Sequence, residues 1–129
     1  MFDDEAVVRA YVPPGWPASV RPPGAEGWER TAVAFLLDCC PPEYRGYPLL
    51  LKQPQVLARF AREFVEGQLA ATRSNLAGAR TSLGGLLSVQ TMEATIAVLH
   101  SEEARLIRVR RAAQLLEAAL WDVRFKRKL

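Results

Sequence analysis

The second half of the chain carries the strongest hydrophobic pattern, and that pattern is helical. In residues 54–83, one line of mostly apolar positions recurs at alternating spacings of four and three residues, as in the contact between two packed helices. The line consists of Val65, Leu69, Thr72, Leu76, Ala79 and Leu83. Gly84 and Gly85 interrupt the pattern, and Ser88 is a suitable N-cap for a further helix. The spacing predicts a long antiparallel helical hairpin over residues 54–83 and 88–124.

The second of these helices has a similar line of apolar positions. It consists of Met92, Ile96, Leu99, Leu106, Ala113 and Leu120, and it is interrupted by Glu103 and Arg110. If the hairpin turns near residues 85–87, Glu66 is expected beside Arg105 and Glu63 beside Arg108. These positions predict ion pairs between the two helices.

A shorter helix is predicted over residues 26–40. Its apolar residues cover most of the helical circumference, so we expect it to lie in the core. Pro41 and Pro42 end it, because proline lacks the N–H donor that a continuing helix needs. Residues 43–53 are predicted to form a turn followed by a short apolar run.

Residues 1–25 form a proline-rich arm, with five prolines between positions 13 and 24. Trp16 and Val20 provide apolar anchors, so we expect the arm to lie across a helical surface. Residues 1–12 fit two conformations equally well, a short helix capped by Asp3 or an extended segment.

Together these elements predict an all-α fold in a single domain of residues 1–129. The domain consists of the arm (1–25), an apolar helix and turn (26–53) and the helical hairpin (54–129). Half of the residues are apolar and 24% are charged, which is an ordinary globular composition. The chain is long enough to bury a core without disulfides or a metal ion.

The length of the hairpin predicts a homodimer. A helix over residues 54–83 extends about 45 Å, which exceeds the width of a compact domain of this size. The arm and the first helix enter near Pro54, so the half near the turn is left with two helices, too few to enclose a core. Pairing of two copies into a four-helix-type bundle solves this problem. The predicted dimer seam consists of Leu69, Leu76, Leu83, Met92, Ile96 and Leu99. The alternative is a monomer in which residues 1–24 fold back over this stripe.

The net charge is a modest +3, and the basic residues concentrate toward the C-terminus. The candidate nucleic-acid contacts there are Arg105, Arg108, Arg111, Arg124, Lys126, Arg127 and Lys128. Acidic residues are interleaved among them, and basic residues are common at the C-terminal ends of helices. We therefore favour a solvated face over nucleic-acid binding.

The sequence contains no glycine-rich phosphate loop, no nucleophile elbow and no spacing typical of zinc ligands. His100 and Glu103 share one helical face, as do Glu63 and Glu66, but two helices supply too few ligands for a carboxylate-bridged metal centre unless a dimer doubles them. The expected ion pairs of Glu63 and Glu66 argue against such a centre. We expect a non-enzymatic protein with no catalytic residues, no metal and no cofactor.

Two further features indicate the cellular compartment. The adjacent Cys39 and Cys40 lie in an apolar run and are expected to remain reduced, since neighbouring cysteines rarely form a disulfide. The first residues lack a signal-peptide pattern, and the longest apolar stretch is too short to span a bilayer. We expect a soluble cytoplasmic protein that does not bind membranes.

One part of the sequence resembles a known group of proteins. The residues concerned are Tyr11-Val12-Pro13-Pro14-Gly15-Trp16-Pro17, Pro22-Pro23-Gly24, Trp28-Glu29, Ala32-Val33-Ala34-Phe35-Leu36-Leu37-Asp38 and Pro41-Pro42-Glu43-Tyr44-Arg45. Over about residues 9–50 the chain resembles a family of small proteins from high-GC Gram-positive bacteria that has no established activity. The resemblance implies a bacterial cytoplasmic protein and implies no catalytic residues.

These observations predict a helical module for protein–protein interaction or self-association, with auxiliary nucleic-acid binding as the alternative. A possible binding surface lies around the Pro41-Pro42 turn, where Asp38, Glu43, Tyr44 and Arg45 cluster. The simpler interpretation, which we favour, is that Asp38 and Arg45 stabilise the turn.

Overall fold

A computed structural model describes residues 12–128, and it describes side chains for residues 12–122. The elements in this part of the chain are α1 (Trp28–Asp38), a 3-10 helix (Pro42–Gly46), α2 (Pro48–Lys52), α3 (Pro54–Leu83) and α4 (Val89–Lys128). No strand occurs among these residues, so the predicted all-α fold with a long helical hairpin is confirmed. The two conformations considered for residues 1–12 concern positions that, apart from Val12, lie outside the described residues.

Helix α1 is shorter at both ends than the predicted helix over residues 26–40. Gly27 precedes it with a φ of 76°, a left-handed conformation that glycine adopts without steric cost. At the other end, the N–H of Cys39 donates to the carbonyls of Phe35 and Leu36, which closes the last turn. Cys39 and Cys40 therefore follow the helix rather than belong to it.

The apolar run at residues 49–51 forms the one-turn helix α2, which the sequence did not predict as a helix. Pro48 occupies its first turn, where a missing N–H has no cost. Leu50 is buried, whereas Leu49 and Leu51 on either side are exposed. This single inward leucine attaches the connection between α1 and α3 to the core.

The hairpin forms as predicted, because each of its ends has a local signal. Pro54 begins α3, and the hydroxyl of Ser88 caps α4 by accepting a hydrogen bond from the N–H of Thr91 at 3.1 Å. The buried positions along the contact include Val65, Leu69, Thr72, Ala79, Met92, Leu106, Ala113 and Leu120. The predicted contact lines of both helices are therefore largely confirmed.

The main core lies at the end of the hairpin remote from its turn. It consists of Val20, Trp28, Ala32, Leu36, Leu37, Leu50, Leu57, Ala58, Ala61, Ala113, Leu116 and Leu120. A smaller cluster of Val65, Leu69 and Leu106 follows it toward the turn. The three-helix packing ends there, because α1 does not extend further along the hairpin.

The described part of the proline-rich arm packs on this body. The indole N–H of Trp16 donates to the carbonyl of Val20 at 3.0 Å, and its ring centroid lies 6.4 Å from that of Trp28. Gly15 has a φ of 96° and lies against α4, where an added Cβ would approach Cγ of Arg111 to 2.7 Å. The described part of the arm, residues 12–25, therefore covers the body of the molecule.

Ion pairs between α3 and α4 form as predicted, but the two predicted pairings, Glu66 with Arg105 and Glu63 with Arg108, are wrong. Glu66 pairs with Arg62 on its own helix, and Arg105 pairs with Glu102 on its own helix. The pairs that do cross are Arg59–Glu117, Arg62–Glu117 and Arg73–Glu103, at 2.6, 2.7 and 2.9 Å.

The lean of helical side chains accounts for this difference. Each Cα–Cβ bond tilts toward the N-terminus of its helix, so in an antiparallel pair the side chains of α3 and α4 lean in opposite directions in space. For two side chains to meet, each residue must therefore lie closer to the C-terminus of its own helix than the residue whose Cα is level with the partner. Arg73 and Glu103 meet for this reason.

Candidate functional site

The half of the hairpin near the turn has an unusual composition for a pair of solvated helices. Residues 74–101 contain two charged residues, Arg80 and Glu93, whereas 24% of the whole chain is charged. The apolar side chains here include Leu86 and Val89, which are 78% and 75% exposed. Depletion of charge together with exposed apolar residues is typical of the centre of a protein interface.

Six residues near the turn share one side of the hairpin. Helical spacing places Leu76, Arg80 and Leu83 on one face of α3, and Val89, Glu93 and Ile96 on one face of α4. Arg73 continues the first face and Glu103 the second, and these two side chains meet at 2.9 Å. The two faces therefore lie on the same side of the molecule. We call these six residues, Leu76, Arg80, Leu83, Val89, Glu93 and Ile96, the tip face.

The tip face of a single chain has charged side chains without ion-pair partners in the described part of the chain and an unfilled hollow. Among the described residues, neither Arg80 nor Glu93 forms an ion pair. A hollow of about 240 Å³ lies beside Arg80, and its lining includes Val89 and Met92. When helices associate, apolar side chains of one helix pack into hollows on the surface of the other.

The predicted dimer seam divides into two groups in the structure. Leu69 and Met92 are buried between α3 and α4 within one chain. The half-buried members are Leu76, Leu83, Ile96 and Leu99. The half-buried group is the part that retains surface for a partner.

Among the described side chains, the candidate nucleic-acid contacts Arg105, Arg108 and Arg111 do not form one free basic surface. Arg105 donates to Glu102 through Nε and Nη2, both at 2.8 Å, and Arg111 lies beneath Gly15 of the arm. Arg108 is exposed on α4. The remaining candidates, Arg124, Lys126, Arg127 and Lys128, lie beyond the described side chains.

The acidic and histidine pairs weighed as metal ligands are not assembled into a site. Glu103 pairs with Arg73, while Glu63 and Glu66 both lie beside Arg62. His100 is exposed. Among the described residues, no group of three potential ligands is close enough to hold a metal ion.

The turn after α1 presents an ion pair and an aromatic cluster. Nη2 of Arg45 donates to Oδ1 of Asp38 at 2.7 Å, which ties the 3-10 helix to the end of α1. The ring of Tyr44 contacts Phe60 and Phe64 of α3, with centroid distances of 5.8 and 6.3 Å. Two of the four residues suggested as a binding surface therefore stabilise the turn, and a third packs against α3.

A cleft lies where α1 ends between α3 and α4. Its volume is about 470 Å³, within the range of small-molecule sites in proteins. The apolar walls include Phe35, Phe64, Leu106 and Val109, and the polar lining includes Asp38, Cys39, Cys40, Gln68 and Arg105. Sequence reasoning missed this cleft, because its lining comes from three segments that no local pattern connects.

Both thiols in the cleft are strongly biased toward their neutral form. Burial raises the pKa of Cys39 from 9.0 to about 12, with further contributions from Cys40 and Asp38. Burial likewise raises the pKa of Cys40 to about 11, although the nearby Arg45 opposes this change. The predicted free thiols are therefore poor nucleophiles near neutral pH.

These pKa values predict slow alkylation. Since only the thiolate reacts, iodoacetamide at pH 8 should modify Cys40 about 100-fold and Cys39 about 1000-fold more slowly than a thiol with a pKa of 9.0. The rates should rise with pH and level off only near pH 11–12. Mass spectrometry of timed samples measures both rates, with the urea-unfolded protein as control. Equal rates in the folded and unfolded protein would contradict the burial of these thiols.

Comparisons with known proteins add no relative: no family model, curated protein or solved structure matches the chain. The resemblance to a family of high-GC Gram-positive bacteria therefore remains a prediction. Within the described residues, no helix is both long and apolar enough to cross a membrane.

Proposed function

We propose that this protein is a non-enzymatic helical self-association module that forms a homodimer through the tip face. The observation that carries this proposal is the charge-poor half of the hairpin, where two helices expose leucine and valine and no third element within residues 12–128 covers them. Two such hairpins side by side form a four-helix bundle, in which the half-buried side chains acquire a full set of neighbours.

The charges of the tip face support a second copy of the same chain as the partner. In a two-fold interface, a contact from residue i to residue j is repeated from j to i. Arg80 and Glu93 are the single positive and single negative member of the face, and each lies between two apolar residues on its helix. Two-fold pairing brings Arg80 of one copy to Glu93 of the other twice.

A charge exchange tests this arrangement. Arg80→Glu and Glu93→Arg should each create two like-charge contacts and raise the dimer dissociation constant by about tenfold, since pairs at such surfaces contribute roughly 0.2–1 kcal/mol each. An equimolar mixture of the two variants should form a heterodimer with both attractive pairs restored. Analytical ultracentrifugation with one variant fluorescently labelled measures each constant.

The charge exchange also separates the possible outcomes. A wild-type mass of one chain at micromolar concentration would overturn the self-association proposal. A dimer that responds equally to Arg108→Glu, a matched reversal on the exposed body of α4, would place the interface elsewhere. If the mixture dimerises as tightly as the wild-type protein and neither variant alone does so, the result would support the tip face specifically.

The proposed setting is a reducing bacterial cytoplasm. Two free cysteines that line a surface cleft support it, because such thiols persist where the thiol pool is reduced. The sequence resemblance over about residues 9–50 supports the bacterial assignment.

A further inference from the structure

We propose that the cleft at the end of α1 binds a small amphipathic carboxylate. The apolar part of the ligand lies against Phe35, Phe64 and Leu106, and its carboxylate accepts hydrogen bonds from Gln68 and Arg105. This site is separate from the tip face, because its lining comes from the region where α1 joins the hairpin.

The polar groups of the cleft select the chemistry of the head group. The side-chain amide of Gln68 is part of the lining and has no hydrogen-bond partner among the described residues. Arg105 donates to Glu102 through Nε and Nη2. The N–H groups of its Nη1 form no hydrogen bond to Glu102 and remain available to a ligand. The NH2 of Gln68 and Nη1 of Arg105 place N–H donors on two facing helices, and both can donate to one carboxylate.

The one carboxylate in the lining opposes a bound anion only in part. Asp38 pairs with Arg45 at 2.7 Å, which weakens its repulsion of a carboxylate, although its charge still contributes to the raised pKa of Cys39. Cys39 and Cys40 are neutral thiols near pH 7, so they add no negative charge and provide weak S–H donors. The apolar walls shield part of the hydrocarbon of the ligand from water, which adds to the affinity.

Decanoate is a suitable probe, because it joins a flexible apolar chain to one carboxylate. Isothermal titration calorimetry should detect binding to the wild-type protein, and 1-decanol should bind at least about tenfold more weakly because it lacks the charge. Arg105→Met should weaken decanoate binding by about tenfold or more. Arg108→Met, one helical turn away on the exposed surface, is the matched control and should leave the affinity unchanged.

A second readout uses the native chain. Saturating decanoate should slow alkylation of Cys39 and Cys40 by N-ethylmaleimide at pH 9 at least threefold, because the ligand occupies the space beside both sulfur atoms. Equal affinities for decanoate and decanol, equal affinities of the two arginine variants, or unprotected thiols at saturation would each overturn the proposal. Since Val89→Glu alters only the tip face, it should retain decanoate binding even where dimerisation is lost.

Discussion

Replacement of Leu36 by alanine is expected to lower the free energy of unfolding by about 2–5 kcal/mol. Leu36 is fully buried in the main core, in the last turn of α1. Its truncation removes apolar contacts and leaves a cavity between α1 and the hairpin, which the rigid helices cannot fill by a small movement. Urea unfolding followed by circular dichroism at one fixed protein concentration measures the change, since self-association makes stability depend on concentration.

The matched control is Leu49→Ala, which makes the same chemical change on α2. Leu49 is 57% exposed, so its truncation should alter the free energy of unfolding by no more than about 0.5 kcal/mol. Comparable losses for the two variants would contradict the assignment of α1 to the core. A large loss at Leu36 alone shows that α1 holds the body together.

The second large effect is expected on oligomeric state. Ile96→Glu should convert a dimer into a monomer, raising the dissociation constant more than about 100-fold. A carboxylate at this half-buried position would lie in the apolar seam without a partner, and two-fold symmetry repeats the cost in the second copy. Leu76→Glu on α3 should have the same effect. Multi-angle light scattering gives the mass, and circular dichroism shows whether the helices persist.

Val89→Glu separates loss of the interface from loss of the fold. Val89 is 75% exposed in one chain, so a glutamate there is compatible with the folded monomer and harmful only where a partner covers it. Gln114→Glu, at an exposed position on the body half of α4, is the control for added charge. A dimer that withstands Ile96→Glu and Val89→Glu alike would rule out the tip face as the interface.

Much of the helical framework follows from local signals in the sequence. Pro54, Gly84 and Ser88 mark where the hairpin helices begin and end, and the four-three spacing identifies their contact lines. These features depend on residues within a few positions of one another, so helical geometry alone relates them. The half-buried residues near the turn were predictable for the same reason, because the sequence alone gives the length of the hairpin and the position of Pro54.

Only the tertiary structure decided how the helices meet. The ion pairs of Glu117 with Arg59 and Arg62 join residues more than 50 positions apart, and their offset depends on the opposite lean of side chains on antiparallel helices. The cleft depends on the position at which α1 ends against α3 and α4, which brings Cys39 near Gln68 and Arg105. No periodicity within a single helix contains that information, because it arises from the packing of separate segments. The sequence by itself therefore determined the helices and the stripe of the hairpin, and the packing of α1 on the hairpin created the cleft.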